Sequence, residues 1–79
     1  MNKKKIILIA LSKAGIDWNK IEYLKEDLLN AWFNINNQKY VLQVFEDTEN
    51  DENHITYRLF KKEENKGTEI FTGFLKQGE

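Results

Sequence analysis

The segments His54-Ile-Thr-Tyr-Arg-Leu-Phe-Lys-Lys62 and Thr68-Glu-Ile-Phe-Thr-Gly-Phe-Leu-Lys76 flank a polar stretch, Glu63-Glu-Asn-Lys-Gly67. Two runs that alternate β-branched or aromatic residues with polar ones, joined by a short segment ending in Gly, are the pattern of a β-hairpin. A three-residue loop at Asn65-Lys66-Gly67, with Gly67 in the left-handed position, sets Glu64 opposite Thr68. In that register Ile55, Tyr57, Leu59, Phe71 and Leu75 share one face, with Gly73 opposite Leu59. Thr56, Arg58, Phe60, Ile70, Thr72 and Phe74 share the other. The first face is a core face, and the second is more apolar than contact with solvent alone requires.

Upstream, Trp32–Ile35 and Lys39–Phe45 read as a second hairpin around Asn36-Asn37, residues that tolerate positive φ. A one-residue slip would exchange its faces. The expected core set is Tyr40, Leu42 and Val44, which leaves Val41 and Phe45 on the face of Phe60 and Phe74. The apolar run Ile6–Leu11 fits either a buried strand or a helix. Ala14-Gly15-Ile16 decides for a helix over about Lys4–Ala14, because Gly15 fits a Schellman stop with Ile16 folding back on Leu11. Lys3, Lys4 and Lys5 oppose the helix dipole, so the first turn is expected to fray. Asn19 as a cap, Glu22 three residues on, and Ile21, Leu24 and Leu28 at helical spacing predict a second short helix.

The expected fold is therefore α+β: two short N-terminal helices packed on one face of a four-stranded antiparallel β-meander, forming a single domain over residues 1–79. Ile7, Leu11, Ile21, Leu24 and Leu28 would face Tyr40, Leu42, Tyr57, Leu59, Phe71 and Leu75. One layer of helices covers one sheet face. Arg58, Phe60, Ile70 and Phe74 are then left to bind a partner, unless the N-terminal helix folds over them.

Composition narrows the function classes. The chain has 79 residues, 41% of them hydrophobic and 13% aromatic, which is enough for one small core. Twelve basic against thirteen acidic residues give a net charge of −1, without the basic excess of a phosphate-binding protein. No Cys is present, which removes disulfides and thiolate chemistry and fits a reducing compartment. The longest apolar run is too short to span a bilayer, so no membrane role is expected and the localisation read from the sequence is cytoplasmic. Abundant Lys, Asn and Ile match an AT-rich genome, of the kind that carries small accessory proteins of phages and mobile elements.

Glu46–Asn53 carries five carboxylates in eight residues and reads as an exposed loop. Asp47, Glu49 and Asp51 alternate as hard-cation ligands do, but the segment lacks the central Gly and closing Glu of a calcium loop. No metal site is expected, and His54 has no second His or Cys for zinc. Ser12 is the only Ser, the four Gly fit no phosphate loop, and neither a catalytic residue nor a cofactor is expected. Leu8 to Leu24, with Ala10, Ala14, Gly15, Ile16, Ile21 and Leu24, resembles the helix-turn-helix of DNA-binding regulators over about a quarter of the chain. The resemblance implies a reading helix bearing Lys20 and Lys25, but Glu22, Glu26 and Asp27 beside them would repel phosphate, and nucleic acid is not the expected partner.

The function expected from the sequence is a non-enzymatic protein-binding module, in its concrete form an anti-CRISPR-like inhibitor of a host protein encoded by a phage or mobile element. Its partner is another protein or a second copy. The expected partner-binding residues are Arg58, Phe60, Ile70, Phe74 and Phe45 on the outer sheet face, with Asp47, Glu49 and Asp51 in the acidic loop. Trp32 and Val41 are available to join them.

Overall fold

The computed structural model describes residues 3–47 and 54–76. One helix, α1 (Lys3–Ala14), precedes five strands: β1 (Glu22–Glu26), β2 (Asn30–Ile35), β3 (Gln38–Asp47), β4 (His54–Glu63) and β5 (Lys66–Lys76). The strands form one antiparallel sheet in the order β1-β2-β3-β4-β5, a meander with every neighbour in the chain a neighbour in space. The expectation of two helices on four strands is therefore corrected to one helix on five strands.

The correction lies at residues 19–29. Lys20 has φ 56°, which takes the chain out of helical geometry one residue after the expected cap at Asn19. Glu22–Glu26 instead pairs with β2, and Asp27 ends the strand by accepting the Leu29 and Asn30 N–H groups at 3.0 and 2.7 Å on Oδ1. An Asp that satisfies the next backbone donors locally competes directly with helix formation. Leu24 falls at an irregularity in the β1–β2 register and Leu28 is 87% exposed at the hairpin tip, so neither belongs to the core.

The end of α1 follows the sequence reading. Gly15 has φ 72°, its N–H donates to Ser12 O at 3.2 Å, and Ile16 N–H donates to Leu11 O at 3.0 Å, the two bonds of a Schellman motif. Lys3 reaches the Glu26 carboxylate at 3.9 Å and Lys4 stands 4.6 Å from the Tyr23 ring centroid, so β1 supplies what the helix dipole withholds. Burial, and then the neighbouring Glu26 carboxylate, push the Tyr23 phenol up to about 12.

Ile6, Ile7, Ala10 and Leu11 of α1 are fully buried against Ala31, Phe33, Leu42, Ile55, Tyr57 and Leu59 from one face of the sheet. This inner face is the expected one, and Phe71 and Leu75 join it. The β2–β3 hairpin turns at Asn36-Asn37, both at positive φ (50° and 67°), as a two-residue type I′ turn requires.

The β4–β5 turn departs from expectation in detail. Glu63 pairs with Lys66, so Glu64-Asn65 is a two-residue loop, and Glu64 (φ 32°) takes the left-handed role expected of Gly67. Gly67 lies in β5 opposite Lys62. A bulge then leaves Ile70 without a partner between the pairs Phe60–Glu69 and Leu59–Phe71. A three-residue loop and a two-residue loop plus bulge differ by two residues of register, an even slip, so every side chain from Phe71 onward stays on its expected face. Gly73 moves from Leu59 to Tyr57, whose ring lies directly over it: a Cβ at Gly73 would stand 2.5 Å from the Tyr57 hydroxyl oxygen.

A candidate binding face on the outer sheet surface

The face of the sheet opposite α1 is built by strand alternation. Trp32, Val41 and Phe60 come opposite one another on β2, β3 and β4, extended by Lys25 on β1 and Glu69 on β5. Each alternates with a buried neighbour, such as Phe33, Leu42 or Leu59, so burying the inner set turns Trp32, Val41 and Phe60 to the outer face, where they are half-buried. Lys25 Nζ stands 4.7 Å from the centroid of the Trp32 ring, a cation–π contact at the margin of the row. Along the strands toward the β4–β5 turn the row opens into a groove of about 620 Å³, lined by Trp32, Val41, Gln43, Phe60, Lys62 and the turn from Glu64 to Gly67. Gly67 contributes no side chain there, and a Cβ at that position would stand 3.7 Å from Phe60 Cβ, so the ring edge stays open to the groove.

A second apolar group lies toward the other end of the strands. Phe45 and Phe74 flank Thr56, 38% and 67% exposed, and the His54 ring meets Phe74 edge-on at 6.0 Å. Between the two groups runs a polar row of Gln43, Arg58 and Thr72. There the Glu69 carboxylate accepts from the Thr72 hydroxyl and lies 3.9 Å from Arg58 Nε. Arg58 therefore lies opposite Thr72 and near Glu69, where the register with Gly73 opposite Leu59 would set it opposite Phe74, and Phe60 and Phe74 fall in separate groups.

Of the expected site residues, Arg58, Phe60, Ile70, Phe74 and Phe45 all have exposed or half-buried side chains outside the core, with Ile70 38% exposed at the bulge. Asp47 ends β3, while Glu49 and Asp51 lie outside the described residues, as do the rest of the acidic segment beyond Asp47 and the tail after Lys76. α1 does not fold over this face, since its apolar stripe is spent on the inner one. Sequence reasoning left out Lys25, which it placed on a helix. The signal was present only in the β1–β2 pairing that sets Lys25 opposite Trp32.

The arrangement offers recognition chemistry: aromatic surface with the Lys25 ammonium at its margin, and an open groove lined also by Lys62, Lys66 and Glu64. Among the described residues no charged side chain is buried, and no three His, Asp or Glu come together as a metal site. The Asp27 carboxyl is held below its usual range chiefly by the Asn30 N–H, but that interaction belongs to the hairpin turn. The helix-turn-helix resemblance loses its reading helix, whose residues form β1. No helix among the described residues is long and apolar enough to cross a membrane. Compared with known proteins, the chain matches no protein-family model, no curated protein sequence and no solved structure.

Proposed function

We propose that this chain is a small protein-binding module that acts without catalysis, through the face of its sheet opposite α1. The observation that carries the reading is the row Lys25-Trp32-Val41-Phe60, where three half-buried apolar side chains lie side by side across the sheet beside a cation and an open groove. Trp and Phe are residue types enriched at interfaces, and a sheet holds them at low conformational cost on binding. Inhibition of a host protein by a phage or mobile-element product is the concrete form of this function that the composition suggests.

The test compares the natural chain with the double variant Trp32→Ser/Phe60→Ser, both immobilised and exposed to nuclease-treated lysate of the source cell. The variant should keep its circular dichroism and denaturant midpoint, because both side chains point away from the core. A protein retained by the natural chain and lost from the folded variant supports the reading. Equal retention by both, or retention of nucleic acid alone in the absence of nuclease, overturns it.

A further inference from the structure

The sheet has two edges, and they are built differently. β1 is five residues long, irregular after Tyr23, and charged at Glu22, Lys25 and Glu26, devices that discourage strand addition. β5 is eleven residues long, and from Ile70 to Leu75 it reads Ile-Phe-Thr-Gly-Phe-Leu without a charge. Among the described residues its partner in the sheet is β4 alone, so every second backbone N–H and C=O along this stretch faces outward as an open hydrogen-bonding ladder. The bulge interrupts pairing at Ile70, and from Phe71 to Lys76 the register with β4 is uniform.

From this asymmetry we infer that β5 pairs with β5 of a second copy of the chain, antiparallel and centred on Thr72, to form a continuous ten-stranded sheet. An antiparallel edge pair generates a two-fold axis perpendicular to the sheet, so inner faces join inner faces and outer faces join outer faces. Centring on Thr72 sets Ile70 opposite Phe74 of the second copy, twice, and Phe71 opposite Gly73, twice. The first pairing joins the two most exposed large apolar side chains of the strand, at 38% and 67%. Apolar cross-strand pairs on a shared face are favourable, and the same register sets no two like charges directly opposite. A second copy is favoured over an unrelated strand because the segment is complementary to itself in this way. The assembly doubles the outer face without covering the Trp32 row, so the inference stands apart from the proposed protein-binding function.

The absence of Cys makes the register directly measurable. Thr72→Cys would place two thiols across the axis with Cα atoms about 4.5 to 5.5 Å apart, within disulfide reach. Sedimentation of the unmodified chain over roughly 5 to 500 µM should show a reversible monomer–dimer equilibrium, in the weak range expected of a small interface. Thr72→Cys should crosslink to a dimer under mild oxidation, whereas Glu22→Cys on the opposite edge should not. Ile70→Lys/Phe74→Lys should abolish the dimer. A chain that stays monomeric throughout overturns the inference. So does a dimer that Thr72→Cys fails to trap, or one that Trp32→Ser/Phe60→Ser dissolves, since that would place the contact on the outer face.

Discussion

At the scale of single residues, Tyr57 and Gly73 show how one position dictates another. Tyr57 is fully buried, its ring stacks at 6.1 Å on Phe71, and it crosses the sheet onto the strand position where β5 has no side chain. Its hydroxyl is buried without a hydrogen-bond partner among the described residues, and burial pushes its phenol above the usual range. Glycine weakens a strand interior, but here its absent Cβ is what admits the ring. Gly73→Ala should therefore destabilise the fold by about 1 to 3 kcal/mol through overpacking, although alanine has no worse strand propensity than glycine. Urea unfolding measures this, and a neutral substitution would mean that the ring has room to move aside. Nothing in the order of residues singles out Gly73 for this role, because its partner depends on the Ile70 bulge.

At the scale of elements, the two central hairpins solve the same problem with different residues. The first uses Asn36-Asn37, which adopt left-handed geometry at small cost, and it was readable for that reason. The second puts Glu64 at φ 32° in the first position of a two-residue turn, where a type II′ turn favours Gly, and the nearby Gly67 misdirects the reading. Glu64→Gly should raise stability by up to about 1 kcal/mol, since relief of left-handed strain exceeds the added freedom of the unfolded chain. A rise in denaturant midpoint with unchanged slope checks it, and a fall would assign the turn a geometry that glycine does not relieve. The same scale explains the lost second helix. Ile21, Leu24 and Leu28 keep a helical interval, but the interval is short, and Asp27 and the edge of β2 offer the backbone other partners.

At the scale of the whole molecule, one helix on one sheet makes an inner face that is a core and an outer face that is not. Leu59 and Phe60 are chain neighbours on opposite sides of that division. Leu59→Ala should cost about 2 to 5 kcal/mol, because it empties a fully buried site between α1 and the sheet. Substitution at Phe60 should leave the unfolding midpoint nearly unchanged, and a comparable loss at both positions would mean that the outer face is a second core. The sequence by itself determined which residues of β3, of β4 and of β5 from Phe71 onward face inward, where α1 stops and where the β2–β3 hairpin turns. Those features rest on period-two alternation and on single residues with special backbone freedom, both of which act locally. Only the tertiary structure decided that residues 22–26 are a strand, that the β4–β5 register contains a bulge, and that Lys25 joins Trp32. Those outcomes depend on which distant backbone supplies hydrogen bonds and which side chain fills which gap, and a local pattern carries neither.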